Sequence, residues 1–578
     1  MWGSTLDGLA VAELPPSWER WTAPFALRRG ARGPPTSGAL ALEEAPLRAS
    51  LACAACARVR REVTKRSPMD SYSAAVESRA PIVRRVSMTL VLVFAALAFA
   101  APDPLNAAVQ RTFRLTIEHF GWFYLLATAS FIVFLLVLAL GRSGRMRLGG
   151  QGETPAFGFW SWVAMLFTAG MGVGLVFWGV AEPMYHYLEP PHGDVPPQSA
   201  EAARKALEVS VFHWGLHQWA NYAVVALAIA WVRFRKESPG LISSTFRPLL
   251  GDRRCAQWSP WLDAPAVIAT TFGVATTLGF GILQINGGLQ VLAGVPVAPF
   301  VQILIVLVVT AAFLGSAMTG IERGILQLSR LNMVLATLLA LAVFVLGPTS
   351  FLLNAGTQAL GDVLDNLVAL SLRTAPWIES TWAGEWTVFY WAWGLSWAPF
   401  VGTFIARISR GRTIAEFVTG VMVVPAAVSL GWFTVFGGSA LHAERYGEAG
   451  LAELVQQDTS LALFGLLDTL PASALLATLA LALIFIFLVT SADSAAYVLG
   501  MFTEGGVLTP TRRARVTQGL LLALLSIALL WTGGLEALRT LSITVALPFL
   551  LVLVGMAAGL WRSVQETLAE IEGESRVL

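Results

Sequence analysis

Charged residues are scarce in this chain, and their scarcity excludes a soluble fold. Only 13% of its 578 residues are Asp, Glu, Lys or Arg, whereas 56% are hydrophobic, and the mean hydropathy is +0.65. A soluble protein of this length and composition would expose far too much apolar surface. The formal net charge of +2 is too small to indicate a nucleic-acid partner. The composition therefore predicts an all-α protein that crosses the bilayer many times.

Cysteines are also few, and common catalytic motifs are missing. Cys53 and Cys56 form a CxxC pair, but no second pair or nearby histidine cluster accompanies them. A zinc or redox site is therefore the lesser alternative. Cys255 stands alone, and we assign it no role. Neither HExxH nor GxSxG occurs in the sequence, so we expect a protein that is not an enzyme and has no cofactor apart from a coupled ion.

Long apolar runs, in contrast, recur along the whole chain. Runs of about 20 residues can cross the hydrocarbon as helices. Twelve such runs centre near residues 96, 130, 169, 221, 277, 306, 341, 395, 427, 484, 523 and 548. Basic clusters such as Arg142–Arg147 and Arg407–Arg412 fall on alternate connections, so the positive-inside rule makes both termini cytoplasmic. We expect a multi-pass protein of the plasma (inner) membrane.

Residues 1–80 contain no span and no lasting periodicity. They mix Pro, Arg, Ser and Ala, which is typical of disordered or weakly ordered segments. No apolar run of signal-peptide length occurs near Met1. Because Met69 lies shortly before the first span, we hypothesise that residues 1–68 are dispensable or an over-extended start. Detection of Met1 by N-terminal peptide mass analysis of the native protein would contradict this hypothesis.

A second segment, Thr357 to Arg373, has helical periodicity without the length or composition of a span. Its apolar stripe comprises Leu360, Val363, Leu364, Leu367 and Val368, and the acids Asp362 and Asp365 lie opposite. This pattern predicts an amphipathic helix on the outer surface.

The third span interrupts its own helix at Thr168-Ala169-Gly170-Met171-Gly172-Val173-Gly174. Each glycine weakens a helix by about 1 kcal/mol relative to alanine. Carbonyls freed by unwinding in a bilayer must be buried in protein or face a polar cavity. The segment therefore indicates part of a transport site. The alternative is a packing face of small residues that lets helices approach closely.

Aromatic residues cluster in the fourth and eighth spans. A rotation of about 100 degrees per residue places Trp214, Trp219 and Tyr222 on one side of a helix. In the eighth span Trp393 and Trp397 form an i, i+4 pair, and Trp391 points the other way. Such rings favour a weakly hydrated quaternary ammonium group through cation-π attraction. The alternative for any single ring is an anchor at the membrane interface.

The tenth span has a polar face in which Phe487, Thr490 and Ser491 follow an i, i+3, i+4 spacing. Two hydroxyls near unwound carbonyls could form a sodium site, although hydroxyls in helices often bond to their own backbone. Asp493 is an intramembrane acid and hence a functional candidate, or a partner for a nearby arginine. Glu182, beside Pro183, is expected to cap or gate rather than to bind.

Taken together, these motifs resemble the betaine/choline/carnitine transporter family over about residues 85–560. The matching residues are Gly170 to Gly174, Ala181-Glu182-Pro183, His213 to His217, Trp219, Tyr222, Phe272-Gly273, Trp391-Ala392-Trp393, Ala406 to Thr413 and Thr490 to Ser494. The resemblance implies a leucine-transporter-like fold, with two inverted five-helix repeats preceded by two extra helices. It also implies alternating access and a homotrimer.

This resemblance also divides the chain into segments. They are a cytoplasmic extension (1–80), two peripheral helices (81–150), a first repeat (151–353), an external amphipathic helix (354–380), a second repeat (381–560) and a short acidic cytoplasmic tail (561–578).

The family's binding residues carry over to named positions. The implied substrate site comprises Trp214, Trp219, Tyr222, Trp393, Trp397, Gly170, Met171, Gly172 and Gly394. The implied sodium site comprises carbonyls of Thr168, Met171 and Phe487 with hydroxyls of Thr490 and Ser491. A possible second sodium site retains Thr270 and Phe400, but Val274 stands where another hydroxyl is expected. Glu182 and Asp493 are implied to act in gating or conformational change.

One residue and one segment depart from the family pattern. Gly394 replaces the second tryptophan of a usual tandem pair, so we expect a wider site or a different substrate. The tail beyond Trp561 is short and carries Glu566, Glu570, Glu572 and Glu574, whereas osmosensing members carry a long basic tail. Steep activation by osmotic stress is therefore not expected.

The expected function is sodium-coupled secondary active uptake of a quaternary-ammonium compound such as glycine betaine, choline or carnitine. Retention of both hydroxyls in the tenth span favours sodium coupling. Sodium-independent exchange, proton-coupled choline uptake, and uptake of dimethylsulfoniopropionate or another betaine analogue stay open. A channel or a substrate sensor without turnover could use the same fold.

Overall fold

The computed structural model of the chain is all-helical. It describes residues 68–170, 172–319, 322–447 and 449–577, and no strand occurs within them. The helices are α1 Pro68–Glu77, α2 Ala80–Ala100, α3 Pro102–Leu140, α4 Phe159–Gly170, α5 Val173–Leu188, α6 Ala200–His213, α7 Leu216–Ala230, α8 Arg247–Ala293, α9 Pro299–Thr319, α10 Glu322–Leu346, α11 Thr349–Ser371, α12 Phe389–Ile408, α13 Ile414–Gly447, α14 Leu451–Gln457, α15 Ala462–Asp468, α16 Ser473–Thr503 and α17 Arg512–Val577.

Among the described residues, eight helical segments are long and apolar enough to cross a membrane. Three other predicted spans fall on helices that are broken, short or less apolar, namely α4 with α5, α7, and α12. The last segment, Arg512–Gly573, covers two predicted centres, near residues 523 and 548. Gly534 lies between them, adopts a left-handed φ of 56° and kinks α17. The predicted all-α, multi-pass architecture is confirmed.

Helices α7 and α8 form the centre of the packed structure. The span within α8 is 89% buried, and α7 is buried along nearly its whole length. Outer helices instead expose apolar side chains, as Leu140 of α3 (84%) and Leu304 of α9 (59%) show. This arrangement is the one expected where lipid surrounds the protein.

The two helices that carry the aromatic clusters, α7 and α12, approach each other closely at a glycine. A Cβ added at Gly402 would lie 2.6 Å from Val225 Cγ1 and 3.1 Å from the backbone nitrogen of Ala226. Both distances are shorter than an ordinary van der Waals contact. Glycine at this position therefore sets the separation of the two helices.

The N-terminal boundary differs from the sequence expectation. Residues 68–80, expected to lack order, include helix α1, because Tyr72 is buried at 2% exposure and its hydroxyl donates to Ser244 Oγ at 3.4 Å. The Arg247 guanidinium lies 4.6 Å from the Tyr72 ring centroid. A short helix is thus stabilised by contacts that local sequence does not reveal. Residues 1–67, with the CxxC pair, lie outside the described residues.

The predicted amphipathic helix exists as α11, but it begins at Thr349 and its acids are used differently. Asp362 is buried at 5% exposure and accepts two hydrogen bonds from Arg204, at 2.7 and 2.8 Å. Leu364 and Val368, from the apolar stripe, are 62% and 74% exposed. An arginine on α6 therefore draws one acid of the expected polar face towards the protein.

The C-terminal tail continues the last helix rather than forming a separate segment. Helix α17 extends to Val577. Glu572 accepts a hydrogen bond from Arg142 at 2.7 Å, and Glu570 lies 3.9 Å from the Lys236 ammonium group. The acidic tail thus pairs with basic residues of two connections.

The close approach of α7 and α12 generates a stability prediction. Gly402→Ala would force its new Cβ against Val225, and overpacking of this kind typically costs 1 to 3 kcal/mol. We expect a fall of several degrees in the apparent Tm of the purified protein in detergent. Gly431→Ala on α13 is the matched control, because nothing lies within 4 Å of its added Cβ. Equal melting of both variants would contradict the assignment.

Candidate functional site

The five predicted box rings surround one cavity. The cavity is bounded by α5, α7, α8, α12 and α13 together with Trp214, the residue that follows α6. The space between its lining atoms, including space that opens to solvent, is about 490 Å³. Its walls comprise Gly172, Gly174, Leu175, Trp214, Gln218, Trp219, Tyr222, Thr277, Trp393, Gly394, Trp397 and Ser429.

One side of the cavity is built by the junction of α6 and α7. Trp214 follows the last residue of α6, and its indole N–H donates to Glu182 Oε2 at 2.8 Å. Trp219 and Tyr222, on the next helix, are 2% and 5% exposed. Their rings meet edge to face with centroids 5.4 Å apart. All three predicted rings line the cavity, but Trp214 lies in the break between α6 and α7 and not on one helix with Trp219 and Tyr222, as the periodicity had predicted.

A second side is built by α12, whose tryptophans are bonded to α8. The Trp393 indole N–H donates to Thr277 Oγ1 at 3.1 Å, and that of Trp397 donates to the Gly273 carbonyl at 3.0 Å. The rings of Trp214 and Trp393 are perpendicular, with centroids 5.8 Å apart. Trp391 points away from the cavity and stacks on His217 at 4.5 Å. As the helical spacing predicted, Trp393 and Trp397 face the cavity and Trp391 does not.

The glycine-rich segment lies at the same cavity. Helix α4 ends at Gly170, α5 begins at Val173, and Gly172 between them is extended. A Cβ at Gly174 would lie 2.2 Å from Trp393 Cη2, so only glycine leaves room for that ring. The first N–H groups of α5 and its positive dipole end therefore adjoin the rings. This combination suits a carboxylate beside a cation. Met171 lies outside the described residues.

Behind Trp214 lies a buried cluster centred on Glu182. Glu182 Oε1 lies 2.6 Å from His213 Nδ1 and 3.5 Å from His186 Nε2. His213 Nε2 is in turn 3.0 Å from Thr387 Oγ1. The ligand atoms of this Glu and the two His lie within 4.8 Å of one another, a spacing that a metal ion would accept. In this structure, however, the Glu182 carboxylate accepts the hydrogen bond from the Trp214 indole. Glu182 therefore affects the cavity by orienting Trp214.

The predicted sodium ligands of the tenth span lie on α16, away from the rings. Thr490 Oγ1 donates to its own helix, 2.9 Å from the Ile486 carbonyl and 3.1 Å from that of Phe487, and it accepts a hydrogen bond from Asn332 Nδ2 at 3.2 Å. A hydroxyl oxygen has two lone pairs, so one stays available to an ion. Asn332, which is 1% exposed, is a neighbour that the sequence did not point to. Ser491 shares this helix, and Thr168 is in the last turn of α4, whose carbonyls lack partners further along that helix.

The other candidate polar groups are separate from the cavity walls. Asp493 is 1% exposed and accepts hydrogen bonds from Arg515 Nη2 at 3.0 Å and Ser316 Oγ at 3.2 Å. Asp493 is therefore paired with an arginine, which was the alternative that the sequence offered for this residue. Thr270 is fully buried, and within the described part of the chain its Oγ1 has no hydrogen-bond partner. Val274 and Phe400 are likewise buried.

Gly394 does not leave the gap that the missing tryptophan suggests. A Cβ at Gly394 would lie 2.2 Å from both Nε2 and Oε1 of Gln218. The amide of Gln218 therefore fills the space, and the site is not simply wider. Sequence reasoning followed only the rings and missed Gln218. Its i, i+4 spacing from Tyr222 could have placed Gln218 beside the rings, although not opposite Gly394.

Comparison with known proteins agrees with these motifs. A model of the betaine/carnitine/choline family of transporters matches residues 82–569. An ectoine/hydroxyectoine transporter of Virgibacillus pantothenticus is 45% identical over 477 residues, covering 82% of this chain and 95% of the relative. A glycine betaine transporter of Bacillus subtilis is 46% identical over 475 residues, covering 82% and 92%. A probable glycine betaine transporter of Desulfitobacterium hafniense is 39% identical over 493 residues, covering 85% and 98%.

These relatives are transporters, which confirms the expectation that the chain is not an enzyme. The matched region includes every described ring of the cavity and the helices that hold them. The chain belongs to the betaine/carnitine/choline family of multi-pass membrane transporters.

Proposed function

We propose that this protein imports a compact zwitterionic osmolyte, such as glycine betaine or ectoine, by sodium-driven alternating access. The observation that carries the proposal is the meeting of five aromatic rings and the start of α5 at one cavity. Relatives that transport glycine betaine and ectoine favour the same substrate class. The proposal places the protein in the plasma membrane as a homotrimer, with both termini cytoplasmic.

The cavity offers complementary partners for the two ends of a zwitterion. Cation-π attraction to desolvated rings contributes about 2 kcal/mol or more per contact, and five aromatic rings line the cavity. The N-terminal N–H groups of α5, near Gly174, attract the carboxylate. Neither partner is a charged side chain. A zwitterion therefore binds without an unpaired charge left in the bilayer.

Access to the cavity depends on which helices move together. Trp214 is bonded to Glu182 of α5, whereas Trp393 and Trp397 are bonded to Thr277 and Gly273 of α8. Rotation of one group relative to the other would separate Trp214 from Trp393. In this proposal, substrate is released when the two sides of the box part.

Sodium coupling rests on Thr490 and Ser491 on α16, with the end of α4. The remaining lone pair on Thr490 Oγ1 and the adjacent carbonyls are oxygen ligands of the type that sodium prefers. One sodium ion that crosses with the membrane potential gains about 2.3 kcal/mol per 100 mV. Sodium-independent exchange, proton-coupled choline uptake and uptake of dimethylsulfoniopropionate are the alternatives that ion replacement and competition distinguish.

The direct test is uptake of labelled glycine betaine and ectoine in cells without their own osmolyte carriers, with sodium present or replaced by potassium. Concentrative uptake that requires sodium is the expected result. Uptake that only equilibrates would favour a channel, and concentrative uptake in potassium would exclude sodium coupling. No uptake by correctly inserted protein would contradict the proposed function.

Removal of one ring from the box should weaken substrate binding. Trp393→Ala deletes a desolvated cation-π partner, so we expect KM to rise by about tenfold or more. Trp214→Ala should act in the same direction. Trp377→Ala is the control, because that ring is 95% exposed. Normal KM values for both box variants, measured at equal surface expression, would contradict the assignment.

Removal of the Thr490 hydroxyl should weaken the response to sodium. Thr490→Ala should raise the sodium concentration for half-maximal uptake by about tenfold, as expected for the loss of one polar ligand. Thr478→Ala is a matched control on the same helix, because its exposed hydroxyl donates to the Ala474 carbonyl, at 2.7 Å. If both variants keep the wild-type sodium dependence, Thr490 is not a ligand.

A further inference from the structure

The space opposite Gly394 is occupied by a polar group that the aromatic box does not explain. Gln218 extends from α7 across the missing Cβ position of Gly394, with its three terminal amide atoms 2.2 to 2.4 Å from that point. Any side chain with a Cβ at residue 394 would displace it. Gly394 and Gln218 therefore form a matched pair that replaces a ring with an amide.

The amide has a fixed orientation. Gln218 Nε2 donates to the Tyr222 hydroxyl, four residues along the same helix, at 2.8 Å. Gln218 is 8% exposed and Tyr222 is 5% exposed, and both line the cavity. Tyr222 accepts from one N–H of the NH₂ group and so anchors that end of the amide, which leaves the carbonyl oxygen without a partner among the described residues.

That carbonyl oxygen has no hydrogen-bond partner within the described part of the chain. A buried acceptor without a donor is costly, so the cavity is suited to a ligand that supplies one. The indole N–H groups of Trp214 and Trp393, which line the same cavity, are already bonded to Glu182 and Thr277. A ligand in the cavity is therefore a source of the missing donor.

A fully methylated ammonium group cannot supply this donor, because all four substituents on its nitrogen are carbon. A tertiary ammonium group carries one N–H, and a cyclic amidinium carries two in a plane that can stack on an indole face. Sites that hydrogen-bond a ligand discriminate strongly against analogues that lack the donor, because the buried acceptor is then left without a partner.

From these contacts we infer that the Gln218 carbonyl oxygen selects zwitterions whose cationic group carries an N–H, such as the cyclic amidinium of ectoine, over fully methylated betaines. The inference rests on the proposed function for its site. Gln218 is then the residue that determines specificity, and Gly394 provides the room for it.

The test measures Kd by tryptophan fluorescence on the purified full-length protein, in parallel with uptake competition in cells. The probes are ectoine, N,N-dimethylglycine and glycine betaine. The last two differ only in that one methyl group replaces an N–H. The wild-type protein should bind N,N-dimethylglycine and ectoine more tightly than glycine betaine.

Gln218→Met keeps the length of the side chain but removes the strong acceptor. We expect the preference for N,N-dimethylglycine over glycine betaine to fall by about tenfold, the loss typical of a hydrogen bond to a charged donor. Gln218→Glu retains an acceptor oxygen and should retain the preference. Gln284→Met is the control, because Gln284 is also buried (1% exposed) but is not among the residues that line the cavity.

The outcomes separate the inference from the function on which it rests. Uptake without any N–H preference, or an equal loss of all three ligands in Gln218→Met, would overturn the inference and leave the transport function intact. The equal loss would show that the amide donates to the carboxylate that all three share. An N–H preference in binding without uptake would support the selectivity and overturn the transport function.

Discussion

The geometry of the cavity depends on how its tryptophans satisfy their indole N–H groups. Most buried indoles bond to an acceptor, and three of the four box tryptophans find one on a neighbouring element rather than on their own. Trp214 bonds to Glu182 of α5, Trp393 bonds to Thr277, and Trp397 bonds to the Gly273 carbonyl. These bonds fix the ring planes and leave the ring faces for the ligand. The N–H edges of these three rings are therefore not available to a ligand.

Close helix packing makes these bonds possible, and it depends on glycines at particular contacts. Gly174 leaves room for Trp393, and Gly402 lets α12 approach α7. Gly172 supplies the extended residue between α4 and α5 that brings the start of α5 to the cavity. In a bilayer, unpaired backbone groups cannot turn to water. The interruption of the helix is therefore stable only where protein or ligand covers it, and here it adjoins the box.

The sequence predicted the parts of this site that follow from periodicity and hydropathy. The spacing of Trp391, Trp393 and Trp397 correctly separated the two rings that face the cavity from the one that does not. Runs of apolar residues located the spans, because lipid demands length and apolarity from each. Features that depend on tertiary partners could not be predicted. Helix α1 forms through Tyr72, and Asp362 turns inward to Arg204, both through contacts distant in sequence.

Gln218 is a further feature that the sequence could not predict, because it depends on a tertiary contact. The sequence revealed that Gly394 lacks the usual ring, but only the packed helices show what takes its place. Its role depends on a contact between α7 and α12 that no local pattern encodes. For Thr490 the two sequence interpretations are compatible, since the hydroxyl bonds to its own helix and still has a lone pair for an ion.

The most direct test of the account is an experimental structure of the protein with ectoine or glycine betaine bound. The account predicts density for the cationic group inside this cavity, within about 6 Å of the centroids of box rings that line it, and for the carboxylate at the start of α5. Density for the ligand elsewhere, with this cavity occupied only by water, would contradict the central claim that the box is the binding site.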